Sequence, residues 1–214
     1  MSRPDEVRTV LSRRFARLTT NAVTRWPQLW PVLRPALRFQ FHTLAPNWDR
    51  IVSPDHIAPY EAALGAIEPP PRRALDLGTG TGAGAFIVAR RFPEAEVVGA
   101  DLASGMIEEA RRKTPPELTG RLRFEVADAA NLPYEDAHFD LVALANMIPF
   151  FDELARVTAP GGRVLLSFSS GADTPIYVPP ERLRDELSAR GFVEFADFEV
   201  RPGTALLALK AEST

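Results

Sequence analysis

The chain has 214 residues, 45% of them apolar, and a net charge of −3, which is typical of a folded protein with a sizeable core. An acidic balance disfavours a nucleic-acid binder, because binding a polyanion requires a basic surface. The absence of cysteine excludes disulfides and thiolate sites, and the three histidines lack the spacing of a zinc site, so no metal is expected.

The amino terminus gives no sign of export. Met1 to Glu6 are mostly polar or charged, and no uncharged apolar run of about 18 residues occurs in the chain. The sequence therefore predicts a cytoplasmic protein without a signal peptide or a transmembrane helix.

The first 45 residues differ in charge from the rest of the chain. They contain eight arginines and two acidic residues, which gives +6 and leaves −9 for the remainder. An apolar pattern at helical spacing predicts a first amphipathic helix that includes Val7, Val10, Leu11, Phe15 and Leu18. Trp-Pro pairs at 26–27 and 30–31 are expected to interrupt this pattern before a second helix over 33–44 and a third over 53–67. We assign residues 1–71 to an N-terminal helical extension that ends in a proline linker.

After the linker, short apolar runs alternate with helical ones, which is typical of a parallel sheet with crossover helices. The predicted strands are Ala74–Leu77, Glu96–Ala100, Leu122–Ala127, Phe139–Ala145 and Arg163–Phe168. The predicted helices are Gly82–Arg91, Ser104–Lys113 with Ser104 as N-cap, Asp152–Val157 and Pro180–Arg190. Two further runs, Phe192–Val200 and Thr204–Lys210, are separated by three residues and predict a terminal antiparallel hairpin.

A glycine-rich turn follows the first predicted strand in the sequence Asp76-Leu77-Gly78-Thr79-Gly80-Thr81-Gly82. Glycine allows the backbone to approach a ligand closely and to adopt φ values that other residues avoid. The turn therefore predicts a cofactor site. The spacing Gly78-x-Gly80-x-x-Ala83 also satisfies a loose dinucleotide fingerprint, so the turn alone leaves NAD open.

Asp101 ends the second predicted strand about twenty residues after the turn. A carboxylate at that edge of the sheet can accept both hydroxyls of a ribose. It does not distinguish NAD from another adenosine cofactor.

Three further features help to distinguish an NAD site from a site for another adenosine cofactor. Asp128-Ala129 follow the third strand, Asn131-Leu132-Pro133 lead toward Phe139-Asp140-Leu141-Val142, and Ala159-Pro160-Gly161-Gly162 precede the fifth strand. With the glycine turn, they make the chain from Arg72 to Lys210 similar to the class I S-adenosylmethionine-dependent methyltransferases, especially those that act on small molecules.

This resemblance implies an α/β Rossmann-like domain over residues 72–214. Its seven-stranded sheet should have the order 3-2-1-4-5-7-6, with the last strand antiparallel. S-adenosylmethionine is the implied cofactor and S-adenosylhomocysteine the product. Asp76 would help to hold the methionine amino end, Asp128 would accept the adenine amino group, and Leu102 and Met106 would wall the adenosine. The expected cofactor residues are Asp76, Gly78, Thr79, Gly80, Gly82, Asp101, Leu102, Met106, Asp128, Ala129 and Asn146.

The sequence departs from the family after the fourth strand. The enzymes that it resembles carry a longer stretch there with histidine or acidic residues facing the substrate, whereas residues 146–152 are short and mostly apolar. Positioning carries much of a methyl transfer, and a base is required only if the acceptor must lose a proton. The candidates for such a base are His42, His56, Tyr60 and Tyr177.

The N-terminal extension allows three interpretations. In the first, its aromatic residues form an apolar lid that suits a lipid-like, quinone-like or polyketide-like acceptor; these are Trp26, Trp30, Phe39, Phe41 and Trp48. In the second, arginines and tryptophans contact an anionic membrane surface. In the third, the arginines are an ordinary solvated face and the aromatic residues are core.

The predicted function is methyl transfer from S-adenosylmethionine to a small hydrophobic acceptor by direct displacement. One alternative is a nicotinamide-dependent oxidoreductase, which is disfavoured because no Tyr-x-x-x-Lys pair occurs. Another is a cofactor-binding regulatory module without turnover, which the short 146–152 segment favours. A protein or RNA acceptor is disfavoured by the acidic domain and by the lack of an Asn-Pro-Pro-Tyr-type motif after the fourth strand.

Overall fold

The computed structural model describes residue 14, residues 16–52 and residues 57–212. Its strands are β1 (Arg73–Leu77), β2 (Glu96–Asp101), β3 (Leu122–Val126), β4 (Phe139–Ala145), β5 (Thr158–Phe168), β6 (Phe192–Val200) and β7 (Gly203–Lys210). They form one sheet in the order 3-2-1-4-5-7-6, and β7 is antiparallel to both of its neighbours. The predicted fold class, strand order and terminal hairpin are confirmed.

Helices cover both faces of this sheet. One face carries α4 (Ala58–Leu64), α5 (Ala83–Arg91) and α6 (Ser104–Lys113), and the other carries α7 (Phe151–Val157) and α8 (Pro180–Ser188). Alternate residues of a strand point to opposite faces, so Leu75 and Leu77 pack in one layer while Ala74 packs in the other. The central strands are apolar at nearly every position because both of their faces are buried.

The third predicted helix is shorter than expected. It is observed as α4, starting at Ala58, and the predicted start at Ser53 lies outside the described residues. Tyr60, Ala63 and Leu64 are buried, and α4 contacts β5, β6 and β7. Although α4 belongs to the predicted extension, it is therefore part of the layer that covers the sheet.

The remaining N-terminal helices are α1, which covers 16–25, α2 (Trp30–Leu44) and α3 (Trp48–Ile51). Most of the predicted first helix, including Val7, Val10, Leu11 and Phe15, lies outside the described residues. The Trp26-Pro27 pair ends α1 as predicted, but Trp30-Pro31 does not interrupt a helix. It begins α2, because proline in the first turn lacks only an N–H that has no helical partner there.

The N-terminal helices are tied to the far face of the sheet near α8. Arg182 donates to the carbonyl of Thr24 at 2.7 Å, and Arg17 donates to the carbonyl of Thr174 at 2.9 Å. Val23 of α1 is only 1% exposed. Of the helices in the described part of the chain, none has the length and apolar character needed to cross a bilayer.

Candidate functional site

The glycine turn lies between β1 and α5, at the carboxyl edge of the sheet. Gly78, Gly80 and Gly82 have φ values of +71°, +54° and +95°, which residues with a Cβ rarely adopt. A Cβ on Gly78 would lie 2.7 Å from Sδ of Met147, and one on Gly80 would lie 3.3 Å from Nε1 of Trp48. Met147 and Trp48 therefore pack against the turn on the two sides where these glycines lack a side chain.

Asp76 supports this turn from inside the protein. Its Oδ1 accepts the hydroxyl of Tyr60 at 2.8 Å, and its Oδ2 accepts the hydroxyl of Thr79 at 2.6 Å. Because Asp76 is 2% exposed, desolvation raises its pKa to about 6, although the hydrogen bonds from Thr79 and Tyr60 lower it. The carboxylate holds Thr79 and the turn to α4.

Asp101 joins the glycine turn to the turn after β2. Its Oδ2 accepts the backbone N–H of Gly80 at 2.9 Å, and its Oδ1 accepts that of Ala103 at 2.9 Å. Burial raises the pKa of Asp101, and backbone hydrogen bonds oppose this rise. The strand order brings β1 and β2 side by side, so the two turns predicted to bind cofactor are brought together.

His42 of α2 caps α6. The predicted N-cap, Ser104, was wrong by one residue: the N-cap is Ala103, whose side chain cannot accept a hydrogen bond. The backbone N–H of Gly105 instead donates to Nδ1 of His42 at 3.1 Å, and Oγ of Ser104 lies 3.3 Å from the same atom. A side chain from a distant helix thus satisfies an N–H group that helix starts leave unpaired.

The predicted apolar wall is covered by the same N-terminal segment. Met106 is 1% exposed and packs with Ala45, Phe41 and Trp48. The rings of Phe41 and Trp48 meet edge to face, with centroids 5.7 Å apart. Leu102, the other predicted wall residue, is partly buried against the core on the other face of the sheet.

Asp128, predicted to read adenine, lies just after β3. Its Oδ1 accepts the indole N–H of Trp30 at 2.8 Å and the backbone N–H of Ala130 at 3.0 Å. Its Oδ2 accepts Nη1 of Arg34 at 2.8 Å. The neighbouring Ala129 is 6% exposed. Two side chains of α2 therefore hold both oxygens of this carboxylate.

Asn146 lies at the end of β4 with a φ of +52°, and its side-chain oxygen accepts the backbone N–H of Ser169 at 2.9 Å. The bond ties the turn after β4 to the turn after β5. It also directs the following residue, Met147, over Gly78.

The base candidates are distributed over different environments. Tyr60 is 0% exposed, and its hydroxyl donates to Asp76, so no acceptor can reach it. Nδ1 of His42 accepts from α6, which places the ring proton on Nε2. Tyr177 packs edge to face on Phe168, and its pKa is raised by partial burial and by the charge of Glu181. His56 lies outside the described residues.

A groove of about 300 Å³ separates the N-terminal helices from residues 149–153. Its apolar lining includes Val23, Trp30, Phe150 and Phe151, and its charged lining includes Arg190. Trp30 and Phe150 meet edge to face at 5.0 Å. The groove adjoins Asp128 through Trp30.

Sequence reasoning missed several residues of this site. Trp30 was predicted only as part of a lid, and Arg34, Met147 and Asp49 were not assigned. Asp49 of α3 accepts the hydroxyl of Thr81 at 2.6 Å and pairs with Lys113 at 2.6 Å. These partners are 32 and 64 residues away in the chain, so no local pattern could have indicated them.

Comparison with known proteins identifies the central part of the chain. Residues 74–162 match a family model described as a methyltransferase domain. The chain is 38% identical over 143 residues to the demethylmenaquinone methyltransferase of Deinococcus radiodurans, which covers 61% of this chain and 59% of that enzyme. It is 47% identical over 109 residues to the demethylmenaquinone methyltransferase of Thermus thermophilus, which covers 47% of this chain and 49% of that enzyme.

The fold is also found in a solved structure. Phosphoethanolamine N-methyltransferase 2 of Haemonchus contortus, in complex with S-adenosyl-L-methionine, aligns with a TM-score of 0.60 at 18% identity. The alignment covers 73% of this chain and 52% of that one. The chain thus matches less than two thirds of the length of each of these three proteins.

Proposed function

We propose that this chain, whose residues 74–162 form a methyltransferase domain of the class I S-adenosylmethionine-dependent type, transfers a methyl group to a small hydrophobic acceptor. The sheet order and the family model bear out the resemblance inferred from the sequence. The observation that carries the proposal is the hydrogen bond between Gly80 and Asp101, which holds the carboxylate that we assign to the ribose beside a glycine turn. S-adenosylmethionine is the cofactor that we assign to this edge of the sheet.

The residues present fit that cofactor. A cofactor bound to the backbone of Gly78 and Gly80 would lie against Met147 and Trp48, which pack on the sides of these glycines that lack a Cβ. Asp101 is oriented by backbone N–H groups to accept ribose hydroxyls, and Asp128 lies after the adjacent strand to accept the adenine amino group. Met106 packs with Ala103, two residues after Asp101, and is covered by Phe41 and Trp48.

When bound, S-adenosylmethionine supplies a methyl group that an acceptor atom takes in one displacement, leaving a neutral thioether. The contribution of the protein is to fix the geometry, to which Trp48 and Met147 contribute by packing on the turn and Phe41 by packing on Trp48. None of the base candidates in the described residues combines access with a suitable proton state. We infer that the acceptor proton passes to water rather than to a side chain.

The acceptor is proposed to be quinone-like. The two demethylmenaquinone methyltransferase relatives motivate this choice, and the groove beside Trp30 and Phe150 offers an apolar surface for such a ring. A cavity of about 300 Å³ is at the lower end of the range for small-molecule sites.

We also propose that the outer face of α2 contacts an anionic membrane. Trp30 and Leu37 are buried, whereas Val32 and Phe39, on the opposite side of the helix, are 77% and 73% exposed. No acidic residue occurs from Val7 to Trp48. An apolar helix face flanked by exposed arginines suits the headgroup boundary of anionic lipid, where a hydrophobic acceptor would reside.

The lid interpretation is refined accordingly. Trp30, Phe41 and Trp48 face the sheet edge, whereas Trp26 is 48% exposed and Phe39 points outward. We propose that α2 and α3 form the lid, while α4 belongs with the sheet.

Binding and turnover test the methyltransferase proposal. S-adenosylhomocysteine at about a hundred times its dissociation constant should stabilise the chain by roughly 2.7 kcal/mol, a rise in Tm of roughly 5 to 10 °C. Asp101→Ala should lose this shift, and Asp197→Ala on the distant strand β6 should keep it. A prenylated naphthoquinol should then give S-adenosylhomocysteine from S-adenosylmethionine.

Two outcomes would support the alternatives. A shift with NAD and none with S-adenosylmethionine would overturn the methyltransferase proposal in favour of an oxidoreductase. Binding of S-adenosylmethionine without turnover on any acceptor would favour a regulatory module.

A further inference from the structure

The carboxylate of Asp128 is held by two side chains from the N-terminal extension. Trp30 and Arg34 lie one helical turn apart on α2, so both reach toward the end of β3. Trp30 donates to Oδ1 at 2.8 Å and Arg34 to Oδ2 at 2.8 Å. A third donor, the backbone N–H of Ala130, also reaches Oδ1.

These contacts leave one oxygen able to accept a further hydrogen bond. A carboxylate oxygen accepts about two hydrogen bonds. Oδ1 already has two donors among the described residues, whereas Oδ2 has Arg34 alone. The adenine amino group would therefore bind to Oδ2.

Trp30 is well placed to act as a fixed anchor. It is 8% exposed and packs edge to face on Phe150, so its indole N–H has little freedom. Arg34 is about half exposed, and its guanidinium neutralises the carboxylate from the solvent side. The Asp128 side chain, at 17% exposure, cannot rotate without breaking both bonds.

We propose that Trp30 and Arg34 are positioning residues that aim Oδ2 of Asp128 at the 6-amino group of the cofactor's adenine. This inference rests on the proposed function. A carboxylate that is fixed before binding loses less conformational freedom when it accepts the amino group. A purine with oxygen at position 6 presents an acceptor to the same carboxylate and is rejected.

The test compares a 6-amino purine ligand with its 6-oxo analogue, in which the donor at position 6 becomes an acceptor and N1 gains a proton. Dissociation constants for S-adenosylhomocysteine and its 6-oxo analogue, S-inosylhomocysteine, are measured by calorimetry on the full chain. The wild type should prefer the 6-amino compound roughly tenfold or more, as expected for a hydrogen bond to a charged group. Asp128→Ala should abolish the preference.

The variants Arg34→Ala and Trp30→Phe should each reduce the preference at least threefold, mainly by weakening S-adenosylhomocysteine. Trp30→Phe keeps an aromatic ring against Phe150 and removes only the N–H donor. The matched control is Arg38→Ala, an exposed arginine one turn further along α2 that should retain the wild-type ratio.

Two results would overturn the assignment while leaving the proposed function intact. Equal weakening of both ligands would mean that α2 is merely structural. Tighter binding of S-adenosylhomocysteine by Arg34→Ala would mean that α2 competes with the cofactor for Asp128. Failure of the wild type to bind S-adenosylhomocysteine at all would instead overturn the proposed function together with the inference.

Discussion

The hydroxyl of Tyr60 donates to Oδ1 of the buried carboxylate of Asp76 at 2.8 Å, which ties helix α4 to the glycine turn. The same carboxylate accepts the hydroxyl of Thr79 through its other oxygen. An element of the predicted N-terminal extension thus supports the turn that we propose as part of the cofactor site.

The buried Asp76 should make stability depend on pH. Its pKa is raised to about 6 in the folded chain, above the value near 3.9 of an unfolded one. The folded state therefore binds this proton more tightly. The resulting stabilisation, about 3 kcal/mol, is present below about pH 4 and is lost as the pH rises through 6. Asp76→Asn removes this dependence on pH. Between pH 4 and 7 the free energy of unfolding of the wild type should fall by about 3 kcal/mol relative to that of Asp76→Asn.

Urea unfolding at several pH values measures this difference, and Tyr60→Phe serves as the companion variant. The Tyr60 hydrogen bond lowers the pKa of Asp76, so removing it should raise that pKa further. Tyr60→Phe should consequently lose more stability at pH 7 than at pH 4. Parallel profiles for wild type and Asp76→Asn would contradict the assignment.

Gly84 should not tolerate alanine, although it lies in helix α5. Alanine favours helices by about 1 kcal/mol, but a Cβ on Gly84 would lie 2.5 Å from Oδ1 of Asp76. That carboxylate is fixed by its partners, so Gly84→Ala should destabilise the chain by about 1 to 3 kcal/mol. Gly120→Ala is the control, since a Cβ there would meet nothing within 4 Å. Denaturant midpoints that rank Gly84→Ala as the more stable variant would disprove the contact.

The cap that His42 provides for α6 should contribute measurably. His42→Ala leaves the N–H of Gly105 without its acceptor and should cost about 1 kcal/mol, or roughly 2 to 4 °C in Tm. Thr43→Ala is a neighbouring control, because the Thr43 hydroxyl bonds only within its own helix, to the carbonyl of Phe39. Equal melting temperatures for the two variants would show that the cap is dispensable.

The exposed face of α2 should bind anionic lipid. The double variant Val32→Ser, Phe39→Ser should lower partitioning onto vesicles that contain phosphatidylglycerol by roughly tenfold, because two apolar side chains no longer enter the interface. Val193→Ser, at a position on β6 that is 58% exposed, should bind as wild type does. Co-sedimentation measures both.

Charge provides the second arm of this experiment. Attraction between the arginines of the extension and an anionic surface should weaken in high salt and on vesicles of phosphatidylcholine alone. Binding that is equal on both kinds of vesicle, or equal for the double variant and the Val193→Ser control, would refute a membrane role for α2.

The fold of residues 72–214 was predictable because the sequence patterns that indicate its strands and turns are local. The runs around Leu75, Leu141 and Leu165 are apolar on both faces, which indicates buried parallel strands before any contact is known. The glycine turn and Asp101 follow their own strands directly. Parallel strands that lie side by side end at the same edge of a sheet. The strand order therefore predicted that the glycine turn and Asp101 would lie close together.

The N-terminal half of the site was not predictable, and two local predictions failed with it. Proline at position 31 suggested a break, yet it starts a helix. Ser104 suggested a cap, yet His42 is the residue that accepts the hydrogen bond. Proline can either break a helix or begin one, and serine can either cap a helix or lie within it. Only the surrounding structure decides which of these occurs.

Sequence alone determined the strands, the turn and the acids that follow them, because periodicity, glycine and strand ends act over a few residues. The tertiary structure alone decided which surface α2 covers. Trp30 and Asp128 are 98 residues apart, and their hydrogen bond depends on how a whole helix packs across the sheet edge. Such packing is the sum of many weak contacts between distant residues, so no single segment of the chain encodes it.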